Sequence, residues 1–166
     1  MIFSLLLLSK LIKLPTGFSN LGLNFGFIFF SIIGFMYGPL AGLLIGFLSD
    51  VLGFFLFDTS GYPFFIGYVF QAMISGLIHG FFLYKKNPNF TRLFFLRITI
   101  SLICNVIIGS ICQGIVANYT YEQTISYMFI AVIPKNIIFL IPQTLFLFVL
   151  FKFLAPIIYK FTNNDQ

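Results

Sequence analysis

Charge is what this chain has least of: 8% of its 166 residues are Asp, Glu, Lys or Arg, against 60% hydrophobic residues and a mean hydropathy of +1.06. Soluble domains carry about a quarter charged residues, so this composition excludes one and defines an integral membrane protein. The chain has no tryptophan, one histidine and two cysteines. His79 has no Cys or carboxylate at ligand spacing, which argues against a metal site and leaves a packed or hydrogen-bonded residue. Cys104 and Cys112 would lie about 12 Å apart on one helix, too far for a disulfide, and read as small apolar residues in lipid. A GxxxxGK[ST] nucleotide loop, an HExxH zinc motif and a GxSxG nucleophile elbow are all missing. That argues against an enzyme, implies no cofactor, and means that ATP-driven transport would need its motor on other chains.

What is present is a series of apolar runs separated by turn signals. Residues 25–57 are almost continuously apolar, yet one straight helix of that length would run about 50 Å, well beyond the roughly 30 Å of bilayer hydrocarbon. The chain must turn inside the run, and Gly38-Pro39 is the place, because proline disfavours helical geometry in the residue before it and suits the first turn of a new helix. The expectation is an all-α integral membrane protein. It forms a single membrane domain over 1–166, a bundle of six transmembrane helices near 1–14, 25–37, 39–57, 64–84, 93–117 and 126–151. The turns between them are "DTSGYP" (58–63), "KKNPNFTR" (85–92) and "NYTYEQT" (118–124).

Basic residues set the orientation. Lys85, Lys86, Arg92, Lys152 and Lys160 fall on one side, whereas 58–63 and 118–124 carry no Lys or Arg, so the positive-inside rule puts both termini in the cytoplasm of a multi-pass plasma-membrane protein. Lys10 and Lys13 dissent mildly. The net charge of +5 is then a matter of topology and gives no reason to invoke nucleic acid.

Within the spans, "GFMYGPLAGLLIGFLSD" (34–50) sets glycines at 34, 38, 42 and 46 and then an acid, Asp50. Gly76 and Gly80 repeat the four-residue spacing. Small residues four apart share a helix face and let backbones approach closely, either inside the bundle or as a docking face for another membrane protein. Asp50 lies roughly 16 Å beyond Pro39, near the midplane, where an acid costs several kcal/mol unless it is paired or faces a wet cavity. Lys135 is equally deep, in "IPKNIIFLIPQ" (133–143), where Pro134 and Pro142 tend to open the helix and Lys135, Asn136 and Gln143 read as part of a polar pocket. Asp50 and Lys135 are expected to be electrostatic partners at its floor. Arg97, near a cytoplasmic end, is expected to snorkel to the interface.

The stretches 24–57, 67–86 ("GYVFQAMISGLIHGFFLYKK") and 134–148 ("PKNIIFLIPQTLFLF"), with FGF, GPxxGxxxGxxSDxxG and KNIIFLIPQ among them, resemble the substrate-binding S components of energy-coupling-factor (ECF) vitamin transporters, nearest to the folate-specific group. The resemblance implies a six-helix protein that captures folate or a related heteroaromatic vitamin outside the cell. It would deliver the vitamin by docking on a transmembrane coupling protein driven by two cytoplasmic ATPases. It also implies a substrate site drawn from Asn24, Phe25, Asp50, Tyr62, Tyr68, Gln71, Lys135, Asn136 and Gln143, with Phe25, Tyr62 and Tyr68 offering rings to a planar ligand. Docking would fall to Ser4 and Leu8, at the spacing of the family's alanine-x-x-x-alanine motif, and to Gly42, Gly46, Gly76 and Gly80. The chain departs from the folate pattern at Gly22 and Val132, where that group carries arginines, and at Phe29, Ile66 and Val69. Two cationic partners for folate's carboxylates are therefore missing.

Two other classes fit the composition. A small multi-helix scaffold protein would not need a pocket with Asp50 and Lys135, and an ion-conducting or proton-coupled carrier would show internal repeats or several midplane acids.

Overall fold

The computed structural model describes residues 4, 6 and 7, 25–57 and 64–163, with side chains in the last helix through residue 156. Leu8, Gly22, Asn24 and Tyr62 lie outside the described residues. Among those described, regular structure is entirely helical. Four helices are long and apolar enough to cross a membrane: α1 (Gly26–Phe57), α2 (Ile66–Leu83), α3 (Phe90–Val116) and α4 (Tyr121–Pro156). The expected count of six is not matched. Of the first span only Ser4, Leu6 and Leu7 are described, and the runs 25–37 and 39–57 are joined in one helical stretch bent at Gly38.

The chain divides into two compact units, Met1–Tyr84 and Lys85–Gln166. In the first, α1 and α2 pack antiparallel, backbone to backbone. A Cβ on Gly42 would strike the Gly76 carbonyl, one on Gly76 the Gly42 carbonyl, and one on Gly46 the Ala72 carbonyl. The opposite face of α1 exposes Leu40, Leu44, Phe47 and Leu48. In lipid no hydrophobic drive brings helices together, so close van der Waals contact between small residues does so while large apolar side chains face outward.

Gly38 has φ 85 and ψ −173, inside the left-handed region that favours glycine, and the Tyr84 ring stands 3.2 Å from where a Cβ would project. Pro39 follows at the start of the second arm, where its missing N–H leaves nothing unsatisfied. The two arms use α2 differently. Gly42 and Gly46 meet successive turns of it, whereas Phe30, Gly34 and Gly38 all meet the stretch from His79 to Tyr84. The chain therefore changes direction at Gly38.

In the second unit, α3 and α4 are antiparallel, with contacts that step in register from Phe90–Phe148 (centroids 5.8 Å apart) through Arg97–Gln143 and Asn105–Asn136 to Gly114–Thr124. The turn between them is capped at both sides. Asn118 takes φ 53 after α3, with Asn118 N donating to Ile115 O and Tyr119 N to Gly114 O, the paired bonds of a Schellman ending. Thr120 and Gln123 then form a reciprocal capping box that starts α4. For this reason α4 begins at Tyr121 and not near 126, since part of the polar 118–124 stretch is its first turn.

Both helices contain π-wound segments, Ser101–Gly109 in α3 and Met128–Val132 in α4. The second has a local cause: Pro134 lacks the N–H that would bond the Ile130 carbonyl, and the turn holding that carbonyl is the one that widens. Three hydroxyls inside the spans bond back to their own helices, Ser31 Oγ to Phe27 O, Ser49 Oγ to Gly46 O and Thr144 Oγ1 to Leu140 O, which satisfies those donors in apolar surroundings, whereas buried Ser110 Oγ has no partner among the described residues.

Candidate binding site

In the first unit the candidate residues gather at the end of α1 and the start of α2. The steps Gly42–Gly76 and Gly46–Ala72 continue by one turn to bring half-buried Asp50 to the level of Tyr68, with Gln71 one turn further along α2. Aromatic rings crowd this end. Phe64 packs on Phe54 and Phe55 at 5.2 and 5.8 Å, and Phe65 meets Tyr68 edge-on at 6.0 Å. Gln71 Oε1 is buried with no hydrogen-bond donor among the described residues. Phe25 is half-buried at the turn that opens α1. At the far end of the same helix pair His79 is buried, Nδ1 lies 2.7 Å from the Ser75 carbonyl and the ring stacks on Phe30 at 5.8 Å.

Gly42, Gly46, Gly76 and Gly80 are all buried, and their bare faces are turned to the α1–α2 contact within the chain. Ser4 is exposed.

In the second unit, Lys135 and Asn136 follow the widened turn of α4 and are half-buried. Asn136 Nδ2 donates to the Val132 carbonyl at 2.8 Å, and its Oδ1 accepts from Asn105 Nδ2 at 2.7 Å. Gln143 Oε1 accepts a hydrogen bond from the Arg97 guanidinium, which is buried at 5% exposure. Arg97 therefore does not snorkel. Its side chain turns toward α4, where an amide oxygen receives it, because in an apolar span a charge close to a polar acceptor is better solvated by that acceptor than by lipid. Cys104 and Cys112 are buried free thiols.

Asn105 escaped the sequence reading. Its signal was an amide alone in "LICNVII" (102–108), a group that needs a partner in lipid but gives no clue to which one.

Long apolar helices, packed through glycine and holding amides and a guanidinium inside them, define a multi-pass membrane protein. The chain matches the family of ECF-type riboflavin transporter S components over residues 4–160 and belongs to it. It is therefore a vitamin-binding transporter subunit and not an enzyme, and family membership sets aside the scaffold reading. Among solved structures it is similar to FolT bound with folic acid, with a TM-score of 0.74 and 25% identity over 89% of this chain and 84% of that one. No curated protein sequence matches significantly.

Proposed function

We propose that this S component binds a flat heteroaromatic vitamin, folate or a relative, on the outer side of the plasma membrane. It passes the vitamin inward with a coupling protein and two ATPases on other chains. The observation that carries this reading is the family match across nearly the whole chain, joined to the likeness to a folate-bound S component. The proposed ligand groups are Asn24, Phe25, Asp50, Tyr62, Tyr68, Gln71, Lys135, Asn136 and Gln143. The rings offer stacking surface and the amides and charges offer polar contacts. Six spans with cytoplasmic termini remain the proposed topology, residues 1–14 and the two arms about Gly38 making up the number. Docking is proposed for the first span, through Ser4 and Leu8, with the glycines of α1 and α2 engaged by one another.

Riboflavin is the second reading, and two observations favour it: the family is named for riboflavin, and Val132 is a buried apolar residue where the folate-specific pattern has a cation. A vitamin without carboxylates needs no such partner. Calorimetry and native mass spectrometry of the purified protein against pterins, flavins and purine-like compounds test both. Tight binding of one class selects between them, and binding of none refutes the proposal.

A further inference from the structure

The two amides that join α3 to α4 are fixed in one orientation by a group that cannot change roles. A backbone carbonyl only accepts, so the Asn136 nitrogen must face Val132 O, 2.8 Å away. Asn136 Oδ1 then faces Asn105, which must present its own nitrogen, and does so at 2.7 Å. The order of dependence runs from the Val132 carbonyl to Asn136 to Asn105, and the sense of every bond in it follows from the first. Asn105 lies in the middle of the π-wound segment Ser101–Gly109, and Val132 closes the π-wound segment Met128–Val132, so both irregular stretches meet at this pair. Irregular turns of this kind are frequent where a helix aims a functional side chain.

We propose that Asn105 is a positioning residue for vitamin binding: by donating to Asn136 Oδ1 it holds the Asn136 amide in one rotamer, with its second N–H left to a ligand acceptor. The proposal rests on the reading of Asn136 as a ligand group. An unlocked amide would have to be ordered at the moment of binding, and a partner turned the wrong way would set oxygen against oxygen.

The diagnostic substitution is Asn105→Asp, nearly isosteric with the native residue. Protonated, the new carboxyl donates to Asn136 Oδ1 as the native amide does. Ionised, it has only lone pairs and repels that oxygen. The other charged and titratable groups of these two helices, Arg92, Arg97, Cys104 and Cys112 on α3 and Tyr121, Glu122, Tyr127, Lys135 and Lys152 on α4, stay in place in every variant. Full-length protein in detergent is titrated with riboflavin and with folic acid between pH 5 and pH 8, each variant divided by wild type at the same pH. Asn105→Asp should bind as wild type does at pH 5 and roughly tenfold more weakly at pH 8, the scale of one lost buried hydrogen bond. Asn105→Leu should be weak throughout. In an Asn136→Leu background the pH dependence of Asn105→Asp should vanish.

A flat ratio for Asn105→Asp overturns the proposal, and so does a pH dependence that persists without Asn136, which would mean direct action of Asn105. Full affinity in Asn136→Leu alone overturns instead the reading of Asn136 as a ligand group. Melting of the ligand-free proteins decides the lock by itself: Asn105→Asp should lose thermal stability relative to wild type as pH rises, and an unchanged difference overturns the lock whatever the vitamin.

Discussion

Gly42 and Gly76 face each other across α1 and α2 so closely that a side-chain carbon on either would enter the other's carbonyl oxygen. Nothing flexible separates them, so the contact yields only by moving a helix. Gly42→Ala and Gly76→Ala should each destabilise the protein by about 1–3 kcal/mol, the usual cost of overpacking a tight site. Because both act on one contact, the double variant should lose less than the sum of the single losses, as read by thermal melts in detergent.

Arg97 and Gln143 make a second test. Gln143→Leu removes an acceptor from a buried guanidinium and should cost about 1–3 kcal/mol. Adding Arg97→Met should recover stability, since an apolar pair then replaces a buried charge that has lost one of its acceptors. A double variant weaker than Gln143→Leu alone would show that Arg97 stabilises the fold through other groups.

The expectation from the sequence that Asp50 and Lys135 are electrostatic partners predicts a different pattern. Asp50→Asn and Lys135→Met should each cost about 3–5 kcal/mol by leaving an uncompensated charge, and the double change should cost less than either. Additive losses in the four-variant melt series would separate the two charges, and ligand titration of the double variant reports whether they also serve the vitamin.

Transport should depend on partners. The chain carries no nucleotide-binding motif, so cells making this protein alone should retain bound vitamin without concentrating it. Accumulation should begin when the coupling protein and ATPases are co-expressed. Uptake of labelled vitamin in the two strains checks this.

Membrane class and the need for a break at Gly38-Pro39 could both be read from the chain, because they follow from local quantities: hydropathy summed over a run, the length of a helix against the thickness of a bilayer, and the geometry a proline imposes on its neighbour. The start of α4 was legible too, in Thr120 and Gln123, but the polarity of 118–124 pointed to a loop and concealed the capping box. Partners were not legible. The four-residue glycine rhythm indicates close packing equally well inside a chain or against another, and only the juxtaposition of Gly42 with Gly76 shows where the faces turn. Arg97 lies near a helix end, where snorkelling is open to it, and the register of α3 against α4 decided instead that an amide stands within reach. Asn105 and Asn136 are 31 residues apart in sequence yet joined by a hydrogen bond. A polar group in lipid must find a partner, and which one it finds depends on the rotation and register of two helices, which no single span encodes.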